Sequence, residues 1–183
     1  MIALIKKYKS VIKFILTFLI VYAVLSFGYK YYLLLSEDAG FFPDYVTNLT
    51  ARQSMSVLNS LGYNTQIEPH PNEPSINLII NTKYVARIIE GCNSLSIIIL
   101  FVSFVISFSD TWKSTLLFLL GGGVLIYAIN LIRIVVLSLG LYHYPWRREI
   151  LHTVIFPLII YGMVFLLWMV WVNRFARKNK KFE

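Results

Sequence analysis

Charge is scarce in this 183-residue chain: 14% of residues are charged and 57% are hydrophobic. A soluble domain carries about 25% charged residues, so this chain lacks the polar surface to coat a globule in water. The shortage excludes a soluble enzyme and a disordered chain. Cysteine occurs once, at position 92, so no intrachain disulfide can form and a disulfide scaffold is excluded. One cysteine and three scattered histidines give no metal-ligand spacing, and no cofactor is expected. No internal repeat is visible, which counts against a transporter built on inverted repeats. Gly121-Gly122-Gly123 lies inside an apolar run with no following Lys-Ser/Thr, so it is not a phosphate loop.

What remains is an all-α integral membrane protein, a single membrane domain over residues 1–183. The net charge of +8 sits mostly at the two ends. Lys6, Lys7, Lys9 and Lys13 precede the first apolar run; Arg174, Arg177, Lys178, Lys180 and Lys181 follow the last. Basic ends flanking apolar spans indicate cytoplasmic termini and contact with anionic membrane lipids. No basic stripe with interleaved aromatics accompanies them, so nucleic acid is not an expected partner.

Four transmembrane helices are predicted, over residues 11–35, 94–108, 116–141 and 152–172. The first has too long an apolar stretch for a signal peptide and reads as an uncleaved anchor. The second is short for a core of about 30 Å. Gly121, Gly122 and Gly123 of the third let a neighbouring helix approach. Residues 110–115 read as a polar turn, and 142–151 as an aromatic loop carrying Arg147 and Arg148.

Residues 36–91 form the one long polar segment, with six acidic and three basic side chains. The segment is predicted to lie outside the cytoplasm as a loop domain with a short helix and a β-hairpin. The helix runs from Pro43 to Leu61 and ends at Gly62. A loop with prolines at 69, 71 and 74 follows, then two β-branched runs, 76–80 and 84–89, joined by Asn81-Thr82.

Three residues carry chemistry. Cys92 lies in Glu90-Gly91-Cys92-Asn93 at the outer mouth of the second span. It is either a buried inert thiol or a nucleophile, and a helix N-terminus favours the thiolate. Arg133 lies inside the third span, where an arginine is a functional-site hypothesis by default; the structural alternative is a cation paired within the bundle. Asn130, three residues earlier, shares its helix face. His152 opens the fourth span, as a base or as a cap; His70 and His143 are the competing histidines. A thiol, an imidazole and a guanidinium are the parts of an acyl-transfer site: the imidazole takes the thiol proton and the guanidinium donates to the oxyanion.

The segments Glu90-Gly91-Cys92-Asn93-Ser94-Leu95 and Asn130-Leu131-Ile132-Arg133-Ile134, followed by His152, resemble the exosortase/archaeosortase family. The short four-span form with a long first outer loop is similar to the exosortase F type of Bacteroidetes. The chain departs from the Ala-Cys-Ser-Gly of many members, reading Gly91-Cys92-Asn93-Ser94. The resemblance implies a membrane cysteine transpeptidase of the bacterial inner membrane, with both termini cytoplasmic and the active site facing the periplasm. Cys92 would attack an exported protein at a C-terminal sorting signal, made of an apolar helix and a basic tail, and form an acyl-thioester. Arg133 would donate a proton or hold the oxyanion, and His152 would be the base. An amine on a lipid or glycan acceptor would resolve the thioester. The rival readings are a non-catalytic membrane subunit of a surface polysaccharide or protein export system, and a small anion transporter centred on Arg133.

Overall fold

The computed structural model describes residues 8–36, 43–108 and 112–179. The elements follow in chain order: α1 (Lys9–Ser36), α2 (Tyr45–Ser60), β1 (Thr65–Pro69), β2 (Ser75–Ile80), β3 (Lys83–Ile89), α3 (Leu95–Ser107), α4 (Trp112–His143) and α5 (Phe156–Asn179). Between α4 and α5 lie a 3₁₀ turn at Pro145–Arg147, a helical turn at Arg148–Ile150 and a π turn at Leu151–Ile155.

Among the described residues three helical stretches are long and apolar enough to cross a membrane: Lys9–Ser36, Trp112–His143 and Thr153–Asn173. α3 is apolar but has only 13 residues, or about 20 Å at 1.5 Å per residue. Aromatic rings lock these helices together. Phe14 of α1 lies 4.4 Å from Phe108, just past the end of α3. Phe104 of α3 stacks on Trp168 of α5 at 4.3 Å, and Phe118 of α4 stacks on Trp171 of α5 at 4.6 Å. The start of α1, the end of α3, the start of α4 and the end of α5 therefore meet at one end of the bundle. Of the consecutive glycines 121–123 in α4, only Gly122 meets a neighbour: a Cβ there would collide with the Phe101 ring, 2.7 Å from its Cε1, whereas Gly121 and Gly123 have open space.

The segment between α1 and α3 is built on the opposite end. Asp44 caps α2, its Oδ1 accepting from the Val46 and Thr47 N–H groups at 3.0 and 3.1 Å, and the chain leaves α2 through Gly62 at φ +91°. The sheet has the order β1-β2-β3, antiparallel throughout. Ile76, Leu78 and Ile80 alternate along β2 onto one buried face. They pack on Ala51 and Leu58 of α2 and on Ile134 and Val135 of α4. The sheet thus stands along the last three turns of α4. β2 and β3 are joined by Asn81 and Thr82, both at positive φ (47° and 67°), as a two-residue hairpin turn requires. A bulge leaves Val85 of β3 without a β2 partner, since Leu78 faces Ala86 and Ile79 faces Tyr84.

Several sequence expectations need correction. β1 occupies part of what reads as a proline-rich loop; Pro69 closes it, and His70 N–H bonds Ser75 O at 2.8 Å to start the return. Residues 112–115 are helical, because α4 already begins at Trp112; Asp110, in the expected turn, lies outside the described residues. Tyr142 and His143 belong to α4, not to a loop. His152 does not open a helix: the chain is helical from Arg148, and His152 is the second residue of the π turn.

Candidate active site

β3 ends at Ile89 and the chain turns at once, the Cys92 N–H bonding Ile89 O at 2.9 Å. Asn93 is fully buried and anchors this turn. Its Oδ1 accepts the N–H of Leu95, the first residue of α3, at 3.1 Å. Its Nδ2 donates to the Tyr29 hydroxyl of α1 at 3.0 Å and to Thr47 Oγ1 of α2 at 3.1 Å. Ser94 is buried with φ +63°, a left-handed conformation that a non-glycine residue holds only when its surroundings impose it. α3 starts only at Leu95, so Cys92 precedes the helix by three residues, and the Leu95 amide is already bound by Asn93.

Asn130 of α4, 1% exposed, joins this turn to Arg133. Its Nδ2 donates to the Cys92 carbonyl at 2.7 Å, and its Oδ1 accepts from Arg133 Nη1 at 3.1 Å. A carbonyl can only accept and a guanidinium can only donate, so the two partners leave a single orientation for the amide. Asn130 fixes the Cys92 backbone and the Arg133 guanidinium relative to each other.

Cys92 and Arg133 line the same cleft, of about 260 Å³. Residues 85–89 of β3 form one wall, and α4 forms the other from Arg133 to Leu141. Cys92 is partly buried, packed beside Ala51, Ile76, Ile88 and Ile134. Arg133 does not need to reach along lipid to a helix end, because the sheet covers the part of α4 beyond it.

The π turn that contains His152 packs against α4; the His152 side chain lies outside the described residues. The two other histidines are engaged elsewhere. His143 Nε2 pairs with the Tyr63 hydroxyl at 3.0 Å, and His70 Nδ1 accepts the Asn72 N–H at 3.3 Å. Neither lines the cleft. The role of Asn130 is foreshadowed by its position three residues before Arg133 in an apolar run. That of Asn93 has no signal in the sequence, since its partners Tyr29 and Thr47 are remote in the chain.

The chain matches the family model "Transmembrane exosortase (Exosortase_EpsH)" over residues 2–174. It belongs to the exosortase family. No curated protein and no solved structure matches it. As an exosortase it is a multi-pass membrane protein of the protein-sorting class, and the segments around Cys92 and Arg133 fall inside the matched range.

Proposed function

We propose that this exosortase is a cysteine transpeptidase that removes a C-terminal sorting signal from an exported protein and passes the remainder to an acceptor. The observation that carries the reading is the cleft lined by both Cys92 and Arg133, with Asn130 joining the Cys92 carbonyl to the Arg133 guanidinium. Cys92 Sγ attacks the scissile carbonyl while His152 takes the thiol proton. Arg133 donates to the oxyanion, which matters most where water is scarce. The C–N bond breaks, the proton passes to the leaving amine, and an acyl-thioester remains on Cys92. An amine on a lipid or glycan then attacks the thioester, the thiolate departs, and the thiol is restored by the amine's proton. His152 is favoured as the base because His70 and His143 bond other groups away from the cleft.

The membrane arrangement of this reading has four spans, α3 included, with both termini cytoplasmic and the site facing the periplasm across the inner membrane. Asn130 lies 18 residues beyond Trp112, about 27 Å along α4. With Trp112 at the inner boundary of a core of about 30 Å, the Cys92 turn sits just inside the outer boundary. There the apolar helix of a sorting signal would emerge. The short form and its long first loop support the F type.

The test is labelling of Cys92 with a membrane-impermeant thiol reagent over a pH series, in intact cells, for the unaltered protein and His152→Ala. Labelling from outside that is slower in His152→Ala is expected. A thiol that stays unlabelled, or that responds identically in both proteins, returns the chain to the non-catalytic subunit reading.

A further inference from the structure

Five consecutive residues of β3, 85–89, border the cleft. Successive side chains of a strand point to opposite faces. Five in a row line one cleft only where that cleft runs along the edge of the strand. β3 is last in the sheet order, with β2 on its other edge, so the N–H and C=O groups on the cleft side face a space and not a strand. The α4 wall extends from Arg133 to Leu141, about 12 Å; residues 85–89 extend about 13 Å. Both lengths suit about four extended residues. Among the described lining residues the charged ones are Arg87, which pairs with Glu73, and Arg133. The groove ends at Cys92.

We propose that this groove binds, as a strand added to β3, the four or so residues on the N-terminal side of the bond that Cys92 cleaves. The proposal rests on the reading of Cys92 as the nucleophile. The occupant is an extended peptide segment, the acyl side of the scissile bond, without a cationic side chain where it passes Arg133; Arg87 on the other wall is paired with Glu73. Its direction follows from connectivity. The acyl carbon ends on Cys92, next to the Ile89 end of β3, and the peptide runs back toward the Asn81-Thr82 turn. It therefore lies parallel to β3. Main-chain pairing supplies affinity, and the side chains turned toward α4 supply selection.

Tethering tests this without knowledge of the natural substrate. The purified protein in lipid nanodiscs is equilibrated with disulfides of three probes: cysteamine, acetyl-tetraalanyl-cysteamine, and the same peptide with N-methylated backbone amides. 2-Mercaptoethanol competes, and intact mass gives the fraction of Cys92 modified. The peptide probe places its C-terminal end on Cys92, as the acyl-enzyme would. Its mixed disulfide is expected to form about tenfold more favourably than that of cysteamine, as two backbone hydrogen bonds would give. N-methylation should remove the gain, and the amides of residues 85–89 should exchange more slowly in the peptide adduct. If cysteamine reacts and both peptides do no better, the strand site is refuted while the accessible thiol stands. If the N-methylated peptide equals its parent, a main-chain ladder is likewise refuted. A Cys92 that takes up none of the three overturns the nucleophile reading, and this proposal with it.

Discussion

Removing the Asn130 amide should disconnect the two halves of the site. In Asn130→Ala, the Cys92 carbonyl loses a donor at 2.7 Å and Arg133 Nη1 loses an acceptor at 3.1 Å. A neutral hydrogen bond contributes about 1 kcal/mol net and one to a charged group about 1.5–3 kcal/mol. Asn130→Ala should therefore cost about 2–4 kcal/mol. Asn130→Asp separates the two contributions: it retains an acceptor for Arg133 but sets a carboxylate oxygen against the Cys92 carbonyl. The assay is a double-mutant cycle of Asn130→Ala with Arg133→Gln, read by equilibrium unfolding in mixed micelles. A coupling of about 1–2 kcal/mol is expected, because the two side chains share a bond. A second reading, the alkylation rate of Cys92, follows the turn itself. It should change in both Asn130→Ala and Asn130→Asp, since both lose the donor to the Cys92 carbonyl, and much less in Arg133→Gln. Effects in the cycle that add to within about 0.5 kcal/mol would refute the bridge.

Three further outcomes follow from the packing. Gly122→Ala should cost about 1–3 kcal/mol by forcing a methyl group into the Phe101 ring, while Gly121→Ala and Gly123→Ala leave unfolding in mixed micelles nearly unchanged; Phe101→Leu should recover part of the Gly122→Ala loss. Asn93→Ala removes the acceptor of the Leu95 N–H and the links to Tyr29 and Thr47, so a loss of about 2 kcal/mol or more is expected, together with faster hydrogen exchange at residues 95–98. Thr82→Gly should stabilise the hairpin by about 0.5 kcal/mol or more, since a β-branched residue is held at φ 67° in a turn that favours Asn-Gly; a lower midpoint of thermal unfolding would contradict this.

The parts of the fold legible in the sequence are those governed by local pattern. The apolar runs, the helix opened at Pro43-Asp44 and stopped at Gly62, and the Asn81-Thr82 turn are each written in residues close together in the chain. What the sequence hides depends on distant partners. Thr65–Pro69 has a strand only because β2 is there to pair with it. Of the site, Cys92 and Arg133 are legible as a lone thiol and a membrane arginine, but their connection is not. It depends on α4 presenting Asn130 to a carbonyl 38 positions earlier in the chain. The chain bends into helix at Arg148 rather than at His152 because Pro145 opens a 3₁₀ turn and the π turn then absorbs Leu151–Ile155. Neither turn has an apolar period that could announce it.

The unequal lengths of α3 and α4 account for where the Cys92 turn lies. Both start or end near the connection that joins them, where Phe101 meets Phe118. α4 has 32 residues and α3 has 13, so α4 outruns its neighbour by about 28 Å. A helix that extended this far alone would expose its buried polar positions, Asn130 and Ser138, to lipid or water. The sheet fills the space instead, resting its β2 and β3 side chains on Ile134 and Val135. Cys92 falls at the seam between the short helix and the sheet that replaces it, in a cleft with β3 on one side and α4 on the other. Extending α3 by two turns through the Cys92 turn would carry its backbone into the space the cleft occupies. On this argument the shortness of α3 is a requirement of the site. Inserting four residues after Ser94 should abolish labelling of Cys92 by a water-soluble thiol reagent, whereas the same insertion at the far end of α3, before Trp112, should leave it intact.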